Sequence, residues 1–284
     1  MCERENASYA QAMTSDNHAQ VGPPCLNPEA DSPLRLRCTP SPPTPKQAYF
    51  LSTTCRELLM YGGAAAGKSW ALLAAALQFI DVPGYNALIV RQTLIDLKMP
   101  GGMIDMAHQW LDRFSGDTGA TYNANDMRWT FAPTGATLTF GYVGDTDPAD
   151  PHRLPGFASG VYQFVGFDCA DEIASQYIYR WMLSRLRRPA PVEHPRDGER
   201  RQGHSLRLSE VPLRIRAIAG SLDPQNDPRP GTGWLRARYL PNGRTDSTPP
   251  SMTARYLDNP YIDAEAYEEA LNTLPEGLAA ALRG

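Results

Sequence analysis

The sequence predicts an α/β fold with a mostly parallel central sheet that is flanked by helices and carries an inserted β-hairpin. The first observation is the pattern of residues 57–90, in which an apolar run, a glycine-rich loop, an Ala/Leu-rich helix and a second apolar run form a βαβ unit. The second is the further alternation of strand-like runs with segments of helical spacing. The third is a pair of alternating runs around a short turn, which is typical of a β-hairpin.

Each element follows from the spacing of apolar residues. Residues 57–61 and 86–90 are predicted strands, and residues 69–80 between them have helical spacing. Helical spacing over residues 97–114, after Pro100, places five apolar side chains on one face: Met103, Met106, Ala107, Trp110 and Leu111. Residues 128–131 and 136–142 predict the hairpin strands. Residues 161–167 predict a strand that ends at Asp168, residues 175–188 a helix, and residues 213–219 a strand.

Composition excludes several classes of protein. The 284 residues (31.3 kDa) suffice for one large α/β domain or two small ones. The net charge of −4 excludes a basic nucleic-acid coat, so any contact with DNA must come from local patches. No run approaches the roughly 18 apolar residues of a membrane span, so we expect a soluble cytoplasmic protein without membrane contact. Five cysteines without a CxxC pair argue against a disulfide framework or a zinc knuckle.

The first 46 residues differ from the rest of the chain. They hold eight of the 26 prolines and a single aromatic residue, Tyr9. Such a segment lacks the apolar surface that would offset its ordering entropy. We therefore predict that residues 1–46 form a disordered, Pro-rich leader and that residues 47–284 form the folded domain.

A glycine-rich loop between the first predicted strand and helix fits the phosphate-loop pattern G-x-x-x-x-G-K-[ST]. Its residues are Gly62, Gly63, Ala64, Ala65, Ala66, Gly67, Lys68 and Ser69. The small residues let backbone N–H groups surround a β-phosphate, and the helix N-terminus, which includes Trp70, adds partial positive charge. We expect Lys68 to contact the β- and γ-phosphates and Ser69 to bind Mg²⁺. The loop thus predicts a site for ATP with Mg²⁺.

Hydrolysis also requires a carboxylate at a strand end and a group that orients water. Asp168, which ends the predicted strand at residues 161–167, is the candidate for the Mg²⁺ site. Glu172 is the favoured base and Asp171 the alternative, although both also suit the acidic first turn of the following helix. Arg91 is the candidate for an arginine that stabilises γ-phosphate charge in cis, and Arg153 is the alternative.

Taken in order, these stretches resemble the ATPase domain of the large terminase subunit, the DNA-packaging motor of tailed bacteriophages. The resemblance begins at about Thr44 and rests on PKQAYFL (45–51), the loop at 62–69, VPGY (82–85), LIVRQT (88–93), the hairpin region 126–142, YQFVGFD (162–168), LSRLR (183–187) and LDNPYID (257–263). It implies a P-loop NTPase fold of the ASCE-like class, with residues 62–69 as the Walker A loop and Asp168 at the end of the Walker B strand.

The resemblance also implies roles for further residues. Gln47 would contact the adenine, and Ser221 would bind the nucleotide. Asp223, in the coupling stretch GSLDP (220–224), would sense the γ-phosphate and pass the change to DNA-gripping loops. Two residues depart from the family pattern. Cys169 follows the Walker B aspartate, where the family usually has its catalytic glutamate, and Asp223 stands where the family usually has asparagine. Without a coupling role, Asp223 would belong to a turn after an edge strand.

The implied function is ATP hydrolysis that drives double-stranded DNA into procapsids in the host cytoplasm. The implied partners are a portal protein, a small terminase subunit and further copies of the chain in a ring. Residues 274–284 resemble the closing helix of the ATPase part, which the family's nuclease domain follows. We therefore expect a motor domain without its nuclease, from a fragment or a split gene.

An arginine-rich stretch is the candidate for contact with the DNA backbone, and a solvated loop is the equal alternative. Its members are Arg185, Arg187, Arg188, Arg196, Arg200, Arg201 and Arg207. Two other functions remain open for the chain as a whole. One is a P-loop kinase that phosphorylates a small acceptor, and the other is a nucleotide-binding module with little turnover. Hydrolysis stimulated by DNA would distinguish the motor from both.

Overall fold

One mixed sheet forms the centre of the computed structural model, which describes residues 35–144, 153–188 and 206–284. In those residues the strands are β1 (Glu57–Gly62), β2 (Asn86–Arg91), β3 (Ala120–Asn123), β4 (Arg128–Phe131), β5 (Ala136–Tyr142), β6 (Phe164–Phe167), β7 (Arg214–Ala219) and β8 (Ser251–Ala254). Their order across the sheet is β3-β4-β5-β2-β6-β7-β1-β8. Pairing is parallel from β5 to β8, and antiparallel among β3, β4 and β5. The predicted α/β fold with an inserted hairpin is confirmed.

Helices cover both faces of the sheet. The described α-helices are α1 (Pro45–Ser52), α2 (Lys68–Leu77), α3 (Leu94–Lys98), α4 (Met103–Leu111), α5 (Ser115–Thr118), α6 (Gln176–Arg185), α7 (Thr232–Tyr239), α8 (Ala264–Leu271) and α9 (Glu276–Arg283). Buried side chains of α1, α2 and α4 pack with Leu58 and Met60 of β1 on one face. Buried side chains of α6 and α7 pack with Leu59 on the other face. Successive residues of a strand point to opposite faces, so β1 contributes to both cores.

The order of the parallel strands determines where the site lies. Strands β2, β6, β7 and β1 are adjacent, and all four run in the same direction. Their carboxyl ends therefore meet at one edge of the sheet, where ligands of open α/β sheets bind. Hydrogen bonds connect neighbouring ends: Asp168 N–H donates to Val90 O (2.8 Å), and Gly62 N–H donates to Gly220 O (2.9 Å).

Some elements differ from the prediction. The helix expected over residues 97–114 is two helices, α3 and α4, because the chain turns at residues 99–102, where Gly101 has a φ of +77°. The apolar face of α4 is as predicted, with Met103, Ala107, Trp110 and Leu111 buried. The sequence analysis did not predict β3 and β8, which are four residues long and have no regular apolar alternation.

Two arginines of β7 are buried and bind the end of α1. Arg216 is fully buried and donates to the carbonyl oxygens of Thr53 (2.6 Å), Cys55 (3.0 Å) and Phe50 (3.4 Å). Arg214 donates to Leu51 O (3.0 Å), and burial lowers its pKa to about 10. The last carbonyls of a helix have no partner within it, so these cations complete the hydrogen bonding of α1 and fix it on the sheet.

The start of the described chain contacts the domain. Residues 1–34 of the predicted leader lie outside the described residues. Residues 35–44 were also assigned to the leader, but Arg35 pairs with Asp81 (2.9 Å) and Cys38 is buried. Helix α1 begins at Pro45, and the domain boundary near residue 46 stays a prediction. Within the described part of the chain, no helix has the length and apolar character needed to cross a membrane.

Candidate nucleotide-binding site

The loop at residues 62–67 has a backbone that favours glycine at two positions. Gly62 has a φ of +132°, and a Cβ atom there would lie 2.2 Å from Ala254 O of β8. Gly67 has a φ of +75° and is the N-cap of α2. The loop, the first turn of α2 and the end of β7 line a cavity of about 410 Å³. The loop lies between β1 and α2, which is the position that a phosphate-binding loop requires.

Lys68 lies at the start of α2 and folds back over the loop. Its Nζ donates to Gly62 O (3.0 Å) and to Gly63 O. Burial lowers the pKa of Lys68 to about 8, and nearby acidic groups oppose this shift. The ammonium group is thus charged at neutral pH, within a loop whose backbone N–H groups suit a phosphate.

The other predicted nucleotide contacts surround this loop. Ser69, Trp70 and Ser221 line the cavity, and the Trp70 ring packs against Trp110 with centroids 5.5 Å apart. Gln47 is buried behind the loop: its Nε2 donates to Gly67 O (3.0 Å), and its Oε1 accepts from Thr44 N–H (2.8 Å). Both ends of the Gln47 amide therefore bind protein atoms and tie α1 to the loop. The adenine contact implied for Gln47 stays a prediction.

Two distant segments contact the loop, and the sequence analysis assigned neither of them a role in the site. Asn259 Nδ2 donates to Ala65 O (2.7 Å). Ala64 N–H donates to Leu282 O at the end of α9 (3.0 Å), and a Cβ on Gly63 would lie 2.3 Å from the same oxygen. An asparagine and a helix end are too common in sequences to have indicated these contacts. The last thirty residues thus help to hold the phosphate loop.

Asp168 follows β6 and is buried at the sheet edge. Its Oδ2 accepts from Arg91 Nη1 (3.1 Å). Burial raises the pKa of Asp168 to about 6, with Arg91 opposing the shift. The next residue, Cys169, has a φ of +47° and lines the cavity, and burial raises the pKa of its thiol. At neutral pH Asp168 is therefore a carboxylate beside a neutral thiol.

The two candidate bases occupy a 3₁₀ turn, Ala170–Glu172, but have different surroundings. Asp171 is buried, and its Oδ2 accepts from Gly220 N–H (3.1 Å) at the end of β7. Glu172 is half-buried, and its Oε1 accepts from both Arg91 and Arg229 at 3.4 Å. Burial raises the pKa of both carboxyls. Asp171 Oδ1 and Glu172 Oε2 are buried without a hydrogen-bond partner in the described residues.

The predicted arginines lie in different places. Arg91 bridges Asp168 and Glu172, and it does not line the cavity that contains Lys68. Arg153 lines a separate cavity between β5 and residues 153–162. Arg229, which the sequence analysis did not single out, lines the Lys68 cavity and pairs with Asp171, Glu172 and Asp227. It lies in an irregular stretch that follows β7, so no motif or periodicity indicated it.

The oxygen donors of this edge suit Mg²⁺. Ser69 offers a hydroxyl and Asp168 a carboxylate, and Mg²⁺ is commonly held by one or two such groups together with waters and substrate phosphates. In the described ranges, no group of three or more His, Cys, Asp or Glu side chains could hold a metal ion. Phosphate oxygens would therefore have to supply part of the coordination.

Comparison with solved structures identifies the fold. The chain is similar to the ATPase domain of the Thermus phage P74-26 large terminase, with 14% identity, a TM-score of 0.54 and coverage of 89% of this chain and 98% of that chain. It is also similar to the large terminase of a thermophilic bacteriophage in complex with ATP-gamma-S, with 13% identity, a TM-score of 0.51 and coverage of 82% and 50%. The chain has the fold of large terminase ATPase domains.

This similarity extends over part of a longer protein. The chain spans about half the length of the thermophilic-phage large terminase, which was also solved with ADP (14% identity, TM-score 0.52, coverage of 84% of this chain and 52% of that chain). No protein-family model and no curated protein matches the sequence. At 13 to 14% identity, the similarity shows the fold of the terminase ATPase domain.

Four of the seven arginines predicted to contact DNA lie in the described residues. Arg196, Arg200 and Arg201 lie outside the described residues. Arg187, Arg188 and Arg207 are exposed, and the Arg185 guanidinium lies 4.8 Å from the centre of the Trp181 ring. Residues 173–188 contain no Asp or Glu, so α6 and the residues after it present positive charge.

The stretch at residues 220–224 leaves β7 at the sheet edge. Ser221 lines the cavity and its Oγ accepts from Asp223 N–H (3.3 Å). The carboxylate oxygens of Asp223 accept from Gln225 N–H (2.8 Å) and from Asn226 Nδ2 (2.7 Å), and these bonds form a local turn. The turn follows an interior strand, not the edge strand of our alternative interpretation, because β7 lies between β6 and β1.

Proposed function

We propose that the chain is the ATP-hydrolysing motor domain of a viral large terminase subunit, which drives the packaging of double-stranded DNA into procapsids. One observation carries the proposal: a Walker A loop, a strand-end aspartate and a Glu172–arginine cluster meet at one edge of a sheet that has the terminase ATPase fold. The thermophilic-phage large terminase was solved with ATP-gamma-S and with ADP, which supports a nucleotide as the ligand.

The phosphates of ATP would bind the loop at residues 62–69. Backbone N–H groups and the N-terminus of α2 would receive the β-phosphate. Lys68 would exchange its two carbonyl partners for β- and γ-phosphate oxygens. Ser69 and Asp168 would hold Mg²⁺, which when bound neutralises phosphate charge. Trp70 and Ser221 would line the nucleotide cavity.

Glu172 is the proposed base. Its half-buried carboxylate has one oxygen, Oε2, without a hydrogen-bond partner in the described residues, and that oxygen can orient a water. The water would attack the γ-phosphorus and give its proton to Glu172, while the bond to the β–γ bridging oxygen breaks and releases ADP and phosphate. Asp171 also has one oxygen without a partner in the described residues, but its side chain is 1% exposed against 25% for Glu172, so it is the less accessible base.

DNA would bind the arginine-rich surface that begins on α6. This surface offers guanidinium groups without neighbouring carboxylates in residues 173–188, and such groups neutralise backbone phosphates. The proposed partners are a portal protein, a small terminase subunit and further copies of the chain in a ring, and the proposed location is the host cytoplasm. Within this proposal, residues 47–284 form the ATPase domain and residues 1–46 a leader.

The experiment is steady-state ATP hydrolysis by the purified chain with Mg²⁺, with and without linear double-stranded DNA, at low and moderate salt. We expect DNA to stimulate hydrolysis and salt to weaken the stimulation, because backbone contacts release counterions. Hydrolysis that DNA does not change, or nucleotide binding without hydrolysis, would contradict the motor and favour a nucleotide-binding module. Transfer of the γ-phosphoryl group to a small acceptor would favour a kinase.

A further inference from the structure

Arg229 borders both the phosphate loop and the two candidate bases. It lines the cavity formed by Lys68 and Ser69. Its guanidinium also pairs with Asp227 (3.1 Å), Asp171 (3.3 Å) and Glu172 (3.4 Å). Arg91 pairs with Glu172 from the other side but does not border the cavity. Of the two arginines on Glu172, Arg229 is therefore the one that a bound nucleotide can reach.

The backbone on which Arg229 stands is fixed. Gly231 N–H donates to Asp171 O (2.7 Å), and Trp234 Nε1 donates to Ile173 O (2.7 Å). A Cβ on Gly231 would lie 2.6 to 2.9 Å from three backbone carbonyl oxygens of residues 170–173, so the two segments are in close contact. Prolines precede and follow Arg229 and restrict the backbone further. Only the side chain, which is 35% exposed, has room to change its partners.

The contacts of Arg229 with the two candidate bases are long. Strong N–H···O bonds between charged groups are about 2.7 to 2.9 Å, whereas these two are 3.3 and 3.4 Å. A γ-phosphate carries more charge than a carboxylate and accepts the two parallel bonds that a guanidinium can donate. Exchange of Glu172 for a γ-phosphate oxygen therefore replaces a weak contact with a strong one.

We propose that Arg229 binds the γ-phosphate and thereby distinguishes a nucleoside triphosphate from a diphosphate. In the structure Arg229 holds Glu172 together with Arg91. When the triphosphate is bound, Arg229 leaves Glu172 Oε1, and Arg91 alone then holds the carboxylate. The assignment rests on the proposed function, and it makes the contacts of Glu172 depend on the presence of a γ-phosphate.

The test is the affinity of the full chain for ATPγS and for ADP, each with Mg²⁺, measured by titration calorimetry in the wild type, Arg229→Gln and Arg229→Lys. We expect Arg229→Gln to bind ATPγS about 10- to 100-fold more weakly while ADP affinity changes less than about threefold, because a hydrogen bond to a charged group is lost only with the γ-phosphate. Arg229→Lys should restore part of the loss. Arg236→Gln is the matched control, since Arg236 lies on the adjacent helix and donates to Leu222 O (3.1 Å).

The outcomes separate this inference from the proposed function. Equal losses for ATPγS and ADP in both Arg229 variants would show a structural role for Arg229 and overturn the inference. Unchanged affinity for both nucleotides would also overturn it, while wild-type binding would leave the proposed function intact. A wild-type chain that binds neither nucleotide would overturn both.

Discussion

Replacement of Glu172 by glutamine should stop turnover without changing nucleotide binding or stability. The amide keeps an oxygen for both arginines, and the contacts that change are 3.4 Å long on a side chain that is 25% exposed. The stability cost should therefore stay below about 1 kcal/mol, or roughly 3 °C in melting temperature. A general base contributes about 10²- to 10⁴-fold in rate, so kcat should fall by that factor.

The assay combines steady-state ATP hydrolysis, ATPγS affinity and thermal melting of the same preparations. Asp171→Asn is the matched comparison, because it removes the neighbouring carboxylate but keeps an oxygen for Gly220 N–H. We expect it to retain much more activity than Glu172→Gln. The reasoning is refuted if Glu172→Gln retains a rate within threefold of the wild type. If Asp171→Asn is then inactive, the base is Asp171.

Three further perturbations test other parts of the site. Lys68→Ala should abolish hydrolysis. In the wild type, ATP affinity should weaken above pH 8, where Lys68 loses its charge. Calorimetry should find no weakening of ATP affinity above pH 8 in Lys68→Ala. Gly63→Ala should displace the end of α9 from the loop, because the new Cβ would lie 2.3 Å from Leu282 O, and hydrogen exchange in α9 should then be faster. The control is Gly233→Ala, whose Cβ would contact nothing within 4 Å, and it should leave hydrogen exchange in α9 unchanged. Arg216→Met leaves the carbonyl oxygens of Phe50, Thr53 and Cys55 without this donor and should lower stability by about 3 to 5 kcal/mol, or roughly 10 °C in melting temperature. Arg236→Met removes one such bond, to Leu222 O, and should cost much less.

The parts of the fold that the sequence predicted are those with a local pattern. The loop at residues 62–69 has fixed spacings, β1, β2 and β6 are largely apolar runs that follow from burial, and β7 alternates arginine with apolar residues at its start. Asp168 could be placed because a polar residue directly after such a run lies at the carboxyl edge of the sheet. These features depend on neighbours in sequence, so sequence alone suffices.

The remaining contacts depend on strand order, which local patterns do not contain. Asp171 meets Gly220 because β6 lies beside β7, and Arg91 meets Asp168 because β2 lies beside β6. Arg229 and Asn259 come from irregular segments whose course is set by packing against distant residues. Nothing in their immediate sequence distinguishes them from surface residues.

The attachment of the phosphate loop to both ends of the domain has a consequence for folding. Gln47 and Leu282 contact the same eight-residue loop although 235 positions separate them in the chain. A partly folded domain therefore lacks a complete loop, and nucleotide can bind only after both ends have docked. By mass action, ATP at a hundred times its Kd would add about 2.7 kcal/mol to the free energy of unfolding. On the proposed function, the nucleotide would therefore stabilise the folded domain as well as serve as its substrate, and depletion of the nucleotide would increase proteolysis of the domain.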